Sequence, residues 1–294
     1  MQWQSDWSLR GRMLLTMVLL GLLYVVFMAL LWTVSQSIIL VAALFGAFSL
    51  VQLLYSDKLA LRSLGASEVD PSEYPALHQT VERLAQQADL PKPTVAVADS
   101  KTPNAFATGH SQDSATVCVT TGLLGTLDDE ELEGVLAHEL AHVKNRDVIV
   151  MTIASFLSTI AFLFVRWGWL FSGGNRGGGD RGGGVGIFGA ILVSLVVWVV
   201  SFLLIRALSR YREYAADRGA AVITGDPAAL ASALASIDSD MQATPSEDLR
   251  EQAEMNAFFI IPIDKGFIGR IASTHPSTEK RIEKLRDLQR ELET

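Results

Sequence analysis

Long apolar stretches alternate with polar regions along this chain. They run from about Met13 to Trp32, from about Ile38 to Tyr55, from about Val148 to Phe171 and from about Val185 to Leu208. Each approaches the roughly 20 apolar residues with which a helix crosses about 30 Å of hydrocarbon. The pattern therefore predicts a multi-pass membrane protein with four transmembrane helices.

These stretches divide the chain into four expected regions. Residues 1–55 form a transmembrane hairpin, residues 56–147 a first polar part, residues 148–208 a second hairpin and residues 209–294 a second polar part. The connector of the second hairpin, from residue 173 to residue 184, contains eight glycines in twelve positions. That composition is typical of a flexible loop, and we expect it outside the membrane.

The polar parts combine helical and strand patterns. Residues 71–90 repeat apolar side chains at helical spacing, whereas TVAVA, NAFAT and SATVCVT alternate like strands, the last two forming a hairpin. From Asp128, DDEELEGVLAHELAHVKN predicts a helix with an acidic first turn. Two more helices are predicted over residues 226–240 and 276–292. The expected fold class is therefore mostly α, with a small β-sheet in the first polar part.

Basic residues near the spans indicate the orientation. Lys144 and Arg146 precede the third span and Arg210 follows the fourth, whereas the opposite side carries only Arg176 and Arg181. Both termini and both polar parts are therefore expected in the cytoplasm, with the chain in the cell (plasma) membrane. The formal net charge of −8 argues against nucleic acid as a partner.

The cysteine content limits the chemistry of any metal site. Cys118 is the single cysteine and lies in the apolar run ATVCV. One cysteine excludes an intrachain disulfide and a cluster of thiolate ligands. We expect Cys118 at a buried strand position.

The segment HELAH has the spacing H-E-x-x-H. His138 and His142 lie four residues apart, so both rings leave the same face of a helix, with Glu139 beside them. Neutral imidazoles suit zinc, and a neighbouring glutamate can accept a proton from the attacking water. The two histidines are therefore candidate zinc ligands and Glu139 the candidate general base. A pair of structural histidines on a helix is the alternative interpretation.

A catalytic zinc needs a third protein ligand. The stretch SRYREYAADRGAA offers Glu213 as that ligand, with Asp217 one turn later to accept a hydrogen bond from a ligating imidazole. A solvated charged face, paired with Arg210 and Arg212, is the alternative. Two spans separate His142 from Glu213, and an even number returns the chain to the same side of the membrane.

Four motifs in this order resemble one family. PNAFATG, ELEGVLAHELAHVKNRD, SRYREYAAD and THPSTEKRI together resemble the HtpX family of membrane zinc metalloproteases, relatives of the CaaX prenyl proteases. The resemblance implies an endopeptidase with a zincin-like cytoplasmic domain, one zinc ion per chain and a part in membrane-protein quality control. It implies His138, His142 and Glu213 as zinc ligands and Glu139 as general base.

The same motifs give candidate roles to three further residues. Asn104 lies in PNAFATG, where the family's edge strand is thought to bind an extended substrate; an ordinary strand-capping asparagine is the alternative. His275 is a candidate hydrogen-bond donor to the oxyanion, or else a cap of the last helix. Arg281 is a candidate substrate contact. His110 stands where an arginine is more usual in this family.

The expected function is hydrolysis of peptide bonds in membrane-associated or misfolded membrane proteins, next to the lipid bilayer. A CaaX-type prenyl-peptide protease is the alternative within enzymes. A non-catalytic membrane adaptor with a structural zinc is the alternative outside them, although structural sites usually have four protein ligands.

Overall fold

The computed structural model describes residues 7–34, 61–167, 182–243 and 275–293, with a few isolated positions between residues 43 and 58. In chain order the elements are α1 (Trp7–Val34), β1 (Ala66–Glu68), α2 (Pro75–Gln87), β2 (Thr94–Ala98), β3 (Ala105–Thr108), β4 (Thr116–Thr120), α3 (Thr121–Thr126), α4 (Asp129–Asn145), α5 (Asp147–Trp167), α6 (Gly182–Thr224), α7 (Pro227–Ala243) and α8 (Thr278–Leu292). The described part is thus mostly helical with a small sheet, as expected.

The chain divides into two compact units. The first, the polar unit, comprises residues 1–6, 54–148 and 209–294, and the second, the apolar unit, comprises residues 7–53 and 149–208. The predicted second span lies almost entirely outside the described residues, as does the glycine-rich connector up to residue 181.

The polar unit contains a four-stranded sheet in the order β1-β2-β4-β3. Strands β2 and β4 are parallel, whereas β3 pairs antiparallel with β4, with Ala105 opposite Val119 and Ala107 opposite Val117. The three predicted strands and their hairpin are confirmed; β1, of three residues, was not predicted. Cys118 is fully buried in β4, as expected. The order leaves β3 at the edge of the sheet.

Helix α4 is the centre of the polar unit. Its N-terminus has a capping box, in which Asp128 accepts a hydrogen bond from Glu131 N at 2.8 Å and Glu131 accepts one from Asp128 N. Leu136, Ala137 and Leu140 are fully buried in the core that α4 shares with α2, α7 and the sheet. The helix ends at Asn145, and after a single intervening residue, Arg146, α5 begins at Asp147.

A glycine sets the spacing between α4 and α7. A Cβ added at Gly134 would lie 2.8 Å from the backbone nitrogen of Leu230, closer than real Cβ atoms approach. The two helices therefore pack backbone against backbone one turn before His138.

The apolar unit contains the helices that could cross a membrane. Among the described residues two segments are long and apolar enough, Ser8–Phe27 and Ile191–Thr224, and a shorter apolar segment covers Asp147–Phe156. The second segment continues beyond residue 208 into the polar unit, and the shorter one begins in the polar unit. Leu14 and Val25 are more than half exposed, at 65% and 68%, in a pattern that suits contact with lipid. Within this unit the Tyr24 hydroxyl donates to the carbonyl of Ala154 at 2.7 Å.

Helix α6 departs from the expected boundaries. It begins at Gly182, so the expectation of a loop is wrong for residues 182–184. Each glycine costs only about 1 kcal/mol relative to alanine in a helix, and the apolar run that follows extends the helix back over them. The same helix continues to Thr224 and carries Glu213 and Asp217 near its end.

Candidate metal centre and active site

Three helices of the polar unit supply the charged groups of the site. Helix α4 carries His138, Glu139 and His142, α6 carries Glu213, and α8 begins just after His275. His138, Glu139 and Glu213 are buried, with at most 5% of each residue exposed. Residues far apart in sequence thus meet in one interior cluster.

The three candidate ligands converge. His138 Nε2 lies 3.1 Å from His142 Nε2 and 3.6 Å from Glu213 Oε2, and His142 Nε2 lies 3.6 Å from Glu213 Oε1. Tetrahedral coordination with ligand bonds of about 2.0–2.1 Å places ligand atoms about 3.3–3.4 Å apart. The two distances to Glu213 involve its two different oxygens; with one atom from each residue, all three lie within 4.8 Å of one another, so the side chains can hold one metal ion after adjustment.

The chemistry of the donor set also fits a metal. Two imidazoles and one carboxylate are the ligands of several catalytic zinc sites. Glu213 Oε2 is buried and makes no hydrogen bond to any described residue, although His275 Nδ1 lies 2.9 Å away. A buried carboxylate oxygen without a hydrogen bond is costly, and a bound cation would satisfy it.

The electrostatics of the site favour positive charge. Burial and Arg281 act to lower the pKa of His138, but Asp217 and Glu213 outweigh them and raise it to about 9. Burial acts to raise the pKa of Glu213, but His275, His138 and His142 hold it well below its ordinary value. The ionised carboxylates therefore attract a cation.

An aspartate and an arginine support His138. His138 Nδ1 lies 3.0 Å from Asp217 Oδ1, and Arg281 donates to Asp217 through Nε at 3.0 Å and Nη2 at 2.6 Å. We call His138, Asp217 and Arg281 the His138 arm. Burial acts to raise the pKa of Asp217, but Arg281 and His138 keep it below its ordinary value.

A second arm supports His142. His142 Nδ1 lies 2.5 Å from Asp147 Oδ2, and Asp147 Oδ1 lies 3.0 Å from Arg212 Nε. We call His142, Asp147 and Arg212 the His142 arm. Burial acts to raise the pKa of Asp147, but Arg212 and His142 lower it below its ordinary value.

Sequence reasoning missed the His142 arm. Asp147 lies in the quoted motif ELEGVLAHELAHVKNRD, but an aspartate five residues after a ligand is not on the ligand's helical face. Arg212 was considered only as a surface partner of Glu213, yet its side chain is 12% exposed and paired with Asp147. The one available signal is that Arg212 directly precedes Glu213, the candidate ligand, in the sequence.

Glu139 contacts the edge of the sheet. Its Oε2 accepts a hydrogen bond from the backbone N–H of Ala107 in β3 at 2.8 Å. Burial raises the pKa of Glu139, against the lowering effect of the two histidines of α4. The base proposed from the sequence thus lies between the candidate ligands and the edge strand.

The remaining candidates occupy distinct positions. Asn104 is 1% exposed; its N–H donates to Thr120 Oγ1 and its carbonyl accepts from Thr120 N, each at 2.9 Å. His275 lies against Glu213, and Arg281 lies against Asp217. The structure therefore brings His275 and Arg281 to the ligand cluster, with Asn104 at the start of the edge strand.

Comparisons with known proteins identify the family of this chain. The sequence model of peptidase family M48 matches residues 71–289 of this chain. Protease HtpX homolog 2 of Methanosarcina mazei is 56% identical over 292 residues, covering 99% of each chain. Protease HtpX homolog of Moorella thermoacetica is 51% identical over 294 residues, covering 98% of this chain and 97% of its own.

A solved structure shares the fold. Ste24p of S. mikatae aligns with a TM-score of 0.56 at 19% identity, over 90% of this chain. This chain spans 62% of the length of that solved chain.

The helical fold and the two-histidine, one-glutamate cluster define a metallopeptidase. The chain belongs to peptidase family M48, among the HtpX proteases, and the expected activity of peptide-bond hydrolysis is confirmed.

Proposed function

We propose that this peptidase is a multi-pass, membrane-embedded zinc endopeptidase with a zincin-like domain in the cytoplasm. Its substrates are membrane-associated or misfolded membrane proteins, which it degrades as part of quality control. The convergence of His138 Nε2, His142 Nε2 and Glu213 within 4.8 Å carries the assignment of the metal centre. The donor set favours zinc, because two neutral imidazoles and one carboxylate are a ligand set found in catalytic zinc sites.

The proposed mechanism assigns a task to each residue. His138, His142 and Glu213 hold the ion, and zinc, when bound, polarises the scissile carbonyl and makes water more acidic. Glu139 takes the proton from the attacking water and passes it to the leaving amine. The position of Glu139 supports this role, because its buried carboxylate is held between the candidate ligands and the edge strand by the hydrogen bond from Ala107 N–H.

His275 can aid the same step. Its Nδ1 lies 2.9 Å from Glu213 Oε2, so its ring reaches the ligand cluster. A ring at that position can donate a hydrogen bond to negative charge that develops on the scissile carbonyl oxygen.

Substrate binding is proposed at β3. An edge strand presents unpaired backbone groups to an extended peptide, which adds as a further strand. The carbonyl of Asn104 faces β4, so alternation directs the backbone groups of Ala105 and Ala107 away from β4. The N–H of Ala107 already donates to Glu139 Oε2, so a peptide that pairs with the other outward-facing backbone groups of β3 would lie beside the base.

The membrane location rests on the apolar unit. Its two long apolar helices are exposed over large parts of their surface, which is stable in lipid and costly in water. Basic residues beside the predicted spans favour a cytoplasmic site and cytoplasmic termini. Substrates in or near the bilayer are then within reach.

One experiment tests the proposal. The full chain in detergent micelles should contain about one zinc ion and degrade an unfolded membrane protein, whereas the Glu139→Gln variant should retain zinc and lose proteolysis by about 10²–10⁴-fold. Glu133→Gln is the matched control, since Glu133 lies on the same helix and pairs with the exposed Arg83.

Other outcomes favour the alternatives. Cleavage of a farnesylated peptide without cleavage of the unfolded membrane protein would indicate a prenyl-peptide protease. Zinc binding with no difference between wild type and Glu139→Gln in any assay would indicate a non-catalytic adaptor.

A further inference from the structure

Asp147 lies where the histidine helix ends and the next helix begins. Arg146 separates α4 from α5 and adopts a left-handed φ of 56°. The chain turns at this residue, and Asp147 consequently faces His142 rather than continuing the helical face. The Asp147 side chain is 3% exposed, and both of its oxygens contact side chains.

Stabilisation of the helix N-terminus does not explain why the Asp147 carboxylate is buried. An acidic residue at a helix N-terminus is favourable when exposed, by about 0.3–1 kcal/mol. Burying the same charge costs several kcal/mol unless it is paired and hydrogen-bonded. Asp147 faces His142 Nδ1 at 2.5 Å and Arg212 Nε at 3.0 Å, so its pairing is with the site and with a residue adjacent to Glu213.

The contact has a specific chemical effect on the imidazole. A ring that donates its Nδ1–H to a carboxylate carries its free lone pair on Nε2. In His142 that nitrogen lies 3.1 Å from His138 Nε2 and 3.6 Å from Glu213 Oε1, facing the proposed ion. Carboxylates in this position also make the ligand more basic, and their removal typically costs 10–100-fold in metal affinity.

We propose that Asp147 and Arg212 are positioning residues for the metal centre. Asp147 fixes the tautomer and the ring orientation of His142, and Arg212 fixes Asp147, so that the pair sets the affinity for the divalent ion. The inference rests on the proposed function insofar as His142 is a ligand. Neither residue touches the substrate or the reacting atoms.

The test measures zinc affinity of the full chain in detergent, by competition with a chromophoric chelator, in a Glu139→Gln background that removes proteolysis from the assay. Asp147→Asn should weaken zinc binding by about 10–100-fold. Arg212→Met should weaken it by about tenfold or less, and Arg212→Lys, which keeps the charge, by less than Arg212→Met. Asp226→Asn is the control, because Asp226 is an exposed aspartate at the start of α7.

A double-variant cycle identifies the route of the effect. If Arg212 acts through Asp147, Arg212→Met should change zinc affinity by less than about twofold once Asp147→Asn is present. Additive losses would show that Arg212 acts independently and would overturn that half of the proposal. A visible spectrum of the Co²⁺-loaded protein should change with Asp147→Asn and stay unchanged with Asp226→Asn.

Two results would overturn the inference, and they are distinguishable. If Asp147→Asn and Arg212→Met lower the melting temperature of the metal-free protein but leave zinc affinity unchanged, the pair is only structural and the proposed function stands. If the parent protein itself binds no zinc, both the inference and the proposed metal centre fail. Should Asp147→Asn fail to fold, the Arg212 variants carry the same test.

Discussion

His138 and His142 leave the same helix one turn apart, and each ring contacts an aspartate that in turn contacts an arginine. The two arms use the same residue types at different depths, and Arg281 donates two hydrogen bonds to Asp217 whereas Arg212 Nε only forms an ion pair with Asp147. In the His138 arm the imidazole and guanidinium are each 1% exposed, whereas in the His142 arm they are 16% and 12% exposed. The aspartates differ little, at 5% and 3%.

The difference in depth changes what each arginine contributes. In a water-poor interior, removing one member of an ion pair leaves an uncompensated charge, at a cost of about 3–5 kcal/mol. Asp147 is as buried as Asp217, but it lies in the first turn of α5, and the more exposed Arg212 lies where water can replace it, so part of the charge of Asp147 stays compensated. The His138 arm should therefore matter for folding as well as metal binding, whereas the His142 arm should matter mainly for metal binding.

The largest effect is expected where the arms meet. Glu213 faces the rings of both His138 and His142, so Glu213→Ala should impair metal binding at both. We expect zinc affinity to fall by more than about 100-fold, which is the largest loss typical of residues that only hydrogen-bond to a ligand. Metal content after dialysis is the measurement. Glu283→Ala, at an exposed position of α8, should retain zinc. Retention of zinc by Glu213→Ala would remove this residue from the ligand set.

Substitution of the arginine should destabilise the protein more in the His138 arm than in the His142 arm. Arg281→Met should lower the free energy of unfolding by about 3–5 kcal/mol, because Asp217 would stay buried without its partner. Arg212→Met should cost about 1–3 kcal/mol, because Asp147 also lies at a helix N-terminus. Thermal denaturation of metal-free protein compares them, with Arg290→Met as control at a mostly exposed site. Equal losses for the two variants would contradict the distinction drawn from burial.

A change in the shared helix should affect both arms together. Gly134→Ala places a methyl group against the backbone of Leu230 and should cost about 1–3 kcal/mol through overpacking between α4 and α7. Gly125→Ala, where a Cβ meets nothing within 4 Å, should be neutral or slightly stabilising. Denaturant unfolding measures both variants. A neutral Gly134→Ala would mean that α7 moves away at little cost.

The smallest effect concerns a residue apart from both arms. Burial raises the pKa of the Cys118 thiol to about 12, so the thiolate fraction at pH 8 is about 10⁻⁴. The native protein should therefore react with a thiol reagent only as it unfolds, and Arg281→Met should react faster than Arg212→Met. Rapid labelling of folded wild type would show that β4 is more accessible than its full burial indicates.

The sequence predicts the parts of the site that depend on local spacing. His138, Glu139 and His142 follow from helical geometry alone, and β2, β3 and β4 follow from alternation. The capping residue and the acidic first turn likewise mark the start of α4. These features can be predicted from the sequence because each depends on a few neighbouring residues.

Other parts depend on contacts that no local pattern contains. Asp147 reaches His142 only because Arg146 adopts a left-handed conformation, which glycine usually provides at a helix end. The sequence suggests Arg281 as a substrate contact, but no periodic pattern reveals that its guanidinium is buried and paired with Asp217, 64 residues away. Strand β1, of three residues, is too short for alternation to be visible.

The unequal exposure of the candidate ligands has a consequence for how the ion enters and leaves. His142 is 16% exposed, against 1% for His138 and 5% for Glu213, so solvent reaches the centre from the His142 side. Among the described residues His142 is the ligand that a small chelator in solvent would meet first. We therefore expect His142, the more accessible imidazole, to be the first ligand released when zinc leaves the centre.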